Sequence, residues 1–358
     1  VGDYLLPNLK VEEICKEMGK KPKIAFGDSV SDFEMLSKAE KSIIVCENRK
    51  HPKFKADGTI EHNMSSVEVR RLLLHMMEEI MKKTLIILPA YNVEKEIYNL
   101  LSNMQNYREN VIIVDDGSTD NTFQIIDSLN YNVIRQEKNA GVASAIKIGI
   151  NYAINNGYQS AVFMDSDGQH SPKYIDGFLK LLETYDFVVG NRFHINTTAP
   201  DIKLGSNLLA SIIVKKFSGK KYNDISCGFK AIKLDEDLKV AIEKSDGYSI
   251  VFDLFFYALN HNYKIGTIDM EAIYDYSTFL MTRREELLAF ISALELHVSN
   301  IFLEKLYIND LKDKVLERRD FIYTIDDITF YGFFIKDKAG YIIQGDPLKL
   351  RKYLNSES

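Results

Sequence analysis

Asp165, Asp167, Gln169 and His170 crowd into one short stretch, "FMDSDGQHSP", directly behind an apolar run and just ahead of Pro172. In an extended segment, residues i, i+2 and i+4 share a face, so Asp165, Asp167 and Gln169 can aim three oxygens at one ligand. Converging oxygens suit a hard divalent cation, Mg2+ or Mn2+, which keeps its other positions for water and phosphate oxygens. A cation held this way bridges a diphosphate and offsets charge growing on a leaving group, acting as Lewis acid and template. The plainer alternative is a solvated turn in which Asp165 caps the helix that starts after Pro172.

Such a stretch needs elements to present it. From Thr84 onward, short apolar runs alternate with helical patterns: "TLIILPAYN", "NVIIVDD", "YNVIRQ", "SAVFMD" and "DFVVGN", separated by helices around 94–105, 119–129, 141–156 and 172–184. This alternation implies βαβ units and a mostly parallel sheet, whose ligands sit beyond the carboxyl ends of the strands. The first, second, fourth and fifth of these strands end in polar residues: Tyr91 and Asn92, Asp115 and Asp116, Asp165 and Asp167, Asn191 and Arg192. Four polar strand ends on one edge make a site. Beyond residue 200 the spacing predicts helices near 203–217 and through "SIVFDLFFYALN", and a strand in "YKIGTIDMEAIY". A long helix over 284–309 and a β-rich tail whose "DKAG" reads as a hairpin turn complete the chain.

Composition narrows the class. A chain of 358 residues exceeds one ordinary core and is 46% apolar, enough to fill more than one. A net charge near −6, without charged blocks, and a pI near 5.8 exclude a nucleic-acid footprint. The three cysteines, Cys15, Cys46 and Cys227, lack the close pairs of a zinc site or a disulfide framework, which fits a reducing cytoplasm. The most apolar long stretch, "LLAFISALELHVSNIFL", contains Glu295 and His297, so no spanning helix is expected.

Taken in order and spacing, "LPAYNVEKEI", "VIIVDDGSTDNT", "NAGVASAIKIGI", "FMDSDGQHSP", "VVGNRF" and "CGFKAIK" resemble the family-2 glycosyltransferases of GT-A fold, most closely the dolichyl- or polyprenyl-phosphate sugar synthases, over roughly 84–275. The resemblance implies metal-dependent, inverting transfer of a single sugar from a nucleotide-diphosphate sugar to a saccharide hydroxyl or a polyprenyl phosphate, in cell-surface polysaccharide or glycolipid synthesis. It implies that Pro89, Ala90, Tyr91 and Glu94 line the base and ribose pocket and that Asp116 hydrogen-bonds the base. Asp165, Asp167 and Gln169 would hold the metal, with Asp165 also on the donor side, and Arg192 would contact phosphate oxygens with a fixed, permanently charged fork. For a hydroxyl acceptor, Asp253 in "YSIVFDLFFYAL" would be the general base; its alternative is a structural partner of Lys230 or Arg283. The stretch "DYSTFLMTRR" departs from the Arg and Gly–Ser–Lys cluster that lipid-phosphate users carry. The absence of tryptophan removes the Gln-x-x-Arg-Trp signature of processive synthases.

The stripe Leu287, Ile291, Leu294, Val298 and Ile301 has helical spacing and is expected to pack on its own domain, leaving open a homodimer seam or a membrane-surface contact. The expected location is accordingly the cytoplasm, with the inner face of the membrane open as a peripheral site. The first eighty residues are similar to the last acidic motif of haloacid dehalogenase phosphatases, with Asp28 and Asp32 in "KIAFGDSVSDFEML" and Lys10 ahead of the first helix. Their nucleophile strand has no counterpart in 1–83 and is expected upstream of Val1, the alternative being a remnant kept for packing. The expected organisation is thus a partial phosphatase-like segment over 1–83, a GT-A domain over 84–310 and a β-rich extension over 311–358. Two other readings stand beside it: a phosphatase whose nucleophile lies outside this chain, and a nucleotide-sugar-binding protein without turnover.

Overall fold

The computed structural model describes residues 24–27, 41–45, 60–64 and 83–356, apart from 195–196, 198–200, 274–282 and 336–339. The chain divides into two compact units, Val1–Glu79 and Ile80–Ser358. In the first, β1 (Ile24–Gly27), β2 (Lys41–Val45) and β3 (Ile60–Met64) form a parallel sheet in the order 1-2-3. The third strand falls where a polar loop was expected, because "IEHNM" offers no apolar run to announce it. Lys10, Asp28 and Asp32 lie outside the described residues.

The second unit is built on β4 (Thr84–Ala90), α1 (Ile97–Ser102), β5 (Val111–Asp115), α2 (Thr122–Ser128), β6 (Asn132–Arg135), α3 (Val142–Asn155) and β7 (Ser160–Phe163). It continues with α4 (Ile175–Leu182), β8 (Phe187–Asn191), α5 (Asp201–Ser218), β9 (Lys230–Lys233), α6 (Glu236–Ala241), α7 (Ser249–Asn260) and β10 (Ile265–Asp269). These strands form a seven-stranded sheet in the order β10-β8-β9-β7-β4-β5-β6. Every pairing is parallel except those of β9, which runs against both β7 and β8. The fold is therefore α/β with a mostly parallel sheet, as expected for GT-A. Strands β5, β7 and β8 are buried along their whole length and β4 nearly so, which requires the near-continuous apolar runs seen in the sequence. At the edge, β6 is only partly covered. The antiparallel β9 is a strand that alternation did not predict; "KAIK" is too short to carry a period of its own.

The helix expected over 284–309 is broken into α8 (Arg283–His297), α9 (Asn300–Lys305) and α10 (Ile308–Leu316). Ser299 adopts extended angles, φ −66° and ψ 144°, and Tyr307 is left-handed at φ 52°. The apolar stripe ends with the break: Leu287, Ile291, Leu294 and Val298 are buried, whereas Ile301 is 68% exposed. The boundary drawn at 310/311 falls inside α10. Beyond it, β11 (Phe321–Ile325), β12 (Ile328–Ile335) and β13 (Gly340–Gly345) make an antiparallel meander, and β13 packs on α5 and α8 within the same unit. The turn residues "DKAG" lie almost wholly outside the described residues. The last helix, α11 (Pro347–Asn355), starts with Pro347 after an Asp346 cap that accepts the Leu348 and Lys349 amides.

Phe178 on α4 and Phe229, just before β9, are fully buried and stack with ring centroids 4.3 Å apart. Phe178→Ala should therefore cost about 3–5 kcal/mol through lost burial and a residual cavity, a loss measurable by urea unfolding of the whole chain.

Candidate active site

A cavity of about 580 Å³ opens at the carboxyl ends of β4, β5, β7 and β8. Pro89, Ala90, Tyr91, Asp116, Asp165, Asp167, Gln169 and Arg192 line it from the strand ends. Asn207 on α5, Ser226 and Gly228 ahead of β9, Gly247 and Tyr248 ahead of α7, and Glu286 on α8 contribute to the wall as well. Tyr91 is 44% exposed there, so it is not merely a packed core aromatic.

The acidic stretch is a turn, not an extended segment. β7 stops at Phe163, and Gly168 at φ +82° reverses the chain, a conformation that disfavours any side chain with a Cβ. Asp167 Oδ1 accepts the Gln169 amide at 3.0 Å, and Gln169 Nε2 donates to Asp167 Oδ2 at 3.0 Å. The shared face expected of 165, 167 and 169 is thus replaced by Gln169 bracing Asp167. Ser166 ties the turn to β4 by donating to the Pro89 carbonyl at 2.6 Å.

His170 anchors the far end of this turn. Its Nδ1 accepts the Asp165 backbone N–H at 3.1 Å and so carries no proton, leaving Nε2 protonated and 3.9 Å from Cys227 Sγ. The 3.5 Å approach of Nδ1 to Asp165 Oδ2 is therefore not an ion pair. Burial, with the Arg192 charge added, pushes the imidazole down to about 3. Burial likewise pushes the Cys227 thiol up to about 11.

Asp165 is raised above the usual carboxylate range by burial, opposed by Arg192 and Lys230. The side chain nonetheless shows 42% of its surface, so the cavity keeps part of the carboxylate wet and moderates that push. Crowding by protein and the Asp165 charge raise Asp167 as well, and its exposed position limits the effect. Two carboxylates that hinder each other's ionisation are stabilised by a cation between them. Among the described residues, no three His, Cys, Asp or Glu side chains form a metal cluster. The donors present are two carboxylates and one amide, which fits a hard cation completed by water and ligand oxygens rather than a protein cage.

The loop before β9 shapes this centre. A Cβ on Gly228 would stand 3.0 Å from Asp165 Cγ and Oδ1 and closer still to Oδ2, so any larger residue there must push the Asp165 carboxylate aside. Asp224, buried, receives the Arg192 fork, Nε to Oδ2 at 2.8 Å and an Nη to Oδ1 at 3.1 Å. Arg192 also donates to Ser226 Oγ at 3.1 Å, and Ser226 donates on to Asn207 Oδ1 at 3.1 Å. Lys230, 1% exposed, donates to the carbonyls of Ile225 and Cys227, and burial pushes its ammonium down to about 8. Of these, only Arg192 was singled out for the site from sequence; the "CGFKAIK" motif was the signal available for Gly228 and Lys230.

Asp116 is 3% exposed and accepts Gln136 Nε2, the Ala140 N–H and the Gly141 N–H, clamping loop 139–141 to β5. Glu94 does not line the cavity. Its Oε2 accepts from both the backbone and side chain of Asn121, bracing the start of α2. Asp253 does not reach the cavity either. It is 1% exposed, accepts Ser249 Oγ–H at 2.8 Å and faces His297 Nε2 at 3.1 Å, beside a separate cleft of about 450 Å³. Its described partners are thus on α7 and α8, with Lys230 not among them and the Arg283 side chain outside the described ones, and its placement suits joining those helices rather than removing a proton in the cavity.

Residues 85–237 match the family described as Glycosyl transferase family 2. The UDP-N-acetylglucosamine–dolichyl-phosphate N-acetylglucosaminyltransferase of Methanococcus voltae is 32% identical over 214 residues, 53% of this chain and 85% of the relative. Polyprenol monophosphomannose synthase of Mycolicibacterium smegmatis is 25% identical, over 51% of this chain and 75% of its own. The crystal structure of glucosyl-3-phosphoglycerate synthase from Mycobacterium tuberculosis with Mn2+, UDP and glucosyl-3-phosphoglycerate superposes with a TM-score of 0.49 at 15% identity, covering 63% of this chain and 85% of the other. The chain belongs to glycosyl transferase family 2. It is a glycosyltransferase. No helix among the described residues is long and apolar enough to cross a membrane.

A buried imidazole lowered from 6.5 to about 3 stays neutral in the native state. The stability gained by keeping it neutral is complete above pH 6.5 and is lost as pH falls toward 3, where only the unfolded chain protonates readily. The ring 15N shifts of His170 should accordingly remain those of the neutral Nε2–H tautomer from pH 8 to pH 5; a titration midpoint near 6 would contradict the geometry.

Proposed function

We propose that the cavity binds a nucleoside-diphosphate sugar on Mg2+ or Mn2+ and transfers one sugar, with inversion at the anomeric carbon, to a saccharide hydroxyl or a polyprenyl phosphate, in building cell-surface polysaccharide or glycolipid. The observation that carries this reading is the pair Asp165 and Asp167, two carboxylates on one turn opening into the same cavity as Arg192. Named relatives that transfer N-acetylglucosamine to dolichyl phosphate or make a polyprenol monophosphomannose support the donor and the range of acceptors. Asp165 and Asp167 would hold the cation, which when bound offsets charge on the departing diphosphate.

The chain's own residues supply position and electrostatics. Pro89, Ala90 and Tyr91 offer the apolar, partly open wall on which a base can lie. Asp116 fixes the 139–141 loop so that the start of α3 can approach the ligand. Arg192, oriented by Asp224 and Ser226, presents a permanent charge to phosphate oxygens without having to be ordered at the moment of binding. Gln169 orients Asp167, and the neutral His170 holds the Asp165 backbone without adding charge beside the cation.

UDP-N-acetylglucosamine or GDP-mannose at about a hundred times its dissociation constant, with Mn2+, should stabilise the chain by roughly 2.7 kcal/mol, seen as a rise in melting temperature. Asp167→Ala should abolish that rise while leaving the unliganded melting temperature near that of the wild type; an undiminished rise would remove the cation from this position. Gly228→Ala should also weaken the Mn2+-dependent part of the shift, because the new methyl displaces the Asp165 carboxylate.

A further inference from the structure

We propose that Lys221 is a positioning residue for the donor diphosphate, and that the segment formed by β11, β12, β13 and α11 serves the cavity by gripping the loop in which Lys221 stands. This rests on the donor reading above. It gives a role to a part of the chain that lies beyond residues 85–237, the span matched by the family.

That segment meets α5 and the loop after it at several points. Near the start of α5, a Cβ on Gly205 would run into the Ile343 carbonyl, so the β13 backbone lies directly against the helix. Near its end, Lys216 pairs with Asp326 in the turn between β11 and β12; both side chains are 43% exposed, and such a pair contributes little. Just beyond α5, Lys221 Nζ donates to the carbonyls of Tyr353 at 2.6 Å, Leu354 at 3.1 Å and Ser356 at 2.5 Å. Carbonyls in a last helical turn have no partner within the helix, and an ammonium satisfies them while meeting the negative end of the helix dipole. Leu350 and Leu354 are buried and α11 packs on α5, so the acceptors are themselves held in place.

From Lys221 the chain runs straight into the groups that orient Arg192. Tyr222 is buried edge-on against Phe255, and a packed side chain there transmits a displacement rather than absorbing it. The Asn223 carbonyl accepts Asn207 Nδ2 from α5 at 2.6 Å. Asp224 receives the Arg192 fork, and Ser226 links Arg192 to Asn207. Both anchors of this loop, the α11 carbonyls and the Asn207 side chain, therefore bear on the carboxylate that aims the arginine.

Arg192, Asn207 and Ser226 line the cavity, whereas Lys221 does not. Losing Lys221 thus leaves the charges on the cavity wall as they are and changes only how firmly one of them is aimed. A bidentate fork tolerates little displacement of its carboxylate, so slack in the loop costs the arginine its alignment toward phosphate oxygens. Burial, with the Lys215 charge added, lowers the Lys221 ammonium, as befits a cation withdrawn from water and dependent on those carbonyls.

The test uses the full chain and two readouts, one of which needs no donor. In the unliganded protein, the Arg192 Nε–H bonded to Asp224 should give a side-chain 15N–1H signal that exchanges slowly with water, and Lys221→Met should speed that exchange several-fold. In calorimetric titrations with UDP or GDP and Mn2+, Lys221→Met should raise Kd about 3- to 30-fold. Because the effect passes through the arginine, the same substitution should change Kd by less than about twofold in an Arg192→Lys background, which keeps the charge but lacks the fork. Should Lys221→Met fail to fold, Asp346→Ala, which removes the α11 cap away from Lys221, carries the same readouts. A Kd within about twofold of wild type, whatever the melting temperature, would reduce Lys221 to a clamp on α11 and overturn the assignment, as would an undiminished effect in the Arg192→Lys background. A wild type that binds neither nucleotide removes the donor reading, and the exchange of the Arg192 signal then decides by itself whether Lys221 positions it.

Discussion

Two negative charges must be kept side by side at the end of a buried strand, and most of the second unit can be understood as the means of doing so. Asp165 and Asp167 follow β7, whose every residue is buried, and each is raised by lack of water and, for Asp167, by the other's charge. Left alone, such a pair protonates or swings apart. The surrounding chain prevents the second without forcing the first. Gln169 bonds both oxygens of Asp167, the Asp165 backbone is held by an uncharged ring, and Arg192 and Lys230 place positive charge within electrostatic reach. A divalent cation is the ligand such a strained balance favours.

The supporting groups have a consistent logic: charges are buried where they position others and more open where they line the cavity. Asp224 and Lys230 are nearly inaccessible, and each is saturated by local partners, the Arg192 fork for one and backbone carbonyls for the other. Breaking one side of such a pair leaves an uncompensated charge in the core, so these residues are structurally costly to alter. Tyr91, Asp167 and Tyr248 are more open to solvent, and Asp165, Arg192 and Glu286 are part-buried on the cavity wall. Lys230, lowered to about 8 and spent on backbone carbonyls, is not among the residues lining the cavity, whereas Arg192 is.

Much of this could be read in the residues because parallel strands announce themselves as apolar runs and their polar ends fall on one edge. The positions of β4, β5, β7 and β8, and the grouping of Tyr91, Asp116, Asp165, Asp167 and Arg192, follow from that alone. What could not be read depends on distance or on single angles. Nothing in the spacing of Arg192 and Asp224 couples them, and no local pattern turns Glu94 toward Asn121 or Asp253 toward His297. The long helix failed at Ser299 and Tyr307, where two residues leave helical angles although the sequence spacing of Leu294, Val298 and Ile301 runs through Ser299. Asp165, Asp167 and Gln169 were assigned a common face on the premise of an extended chain, and the positive φ of Gly168 removes that premise.

The reversed direction of β9 has one more consequence. Lys230 pairs with Phe163, so the entrance of β9 lies beside the exit of β7. A strand laid parallel there would deliver its outgoing loop to this edge and send its incoming one to the opposite side of the sheet. Reversal instead lets the segment that leads into a strand, Asp224 to Gly228, share an edge with segments that lead out of others. The pocket can therefore be remodelled by lengthening or recomposing that approach, with the register of the seven strands behind it left intact.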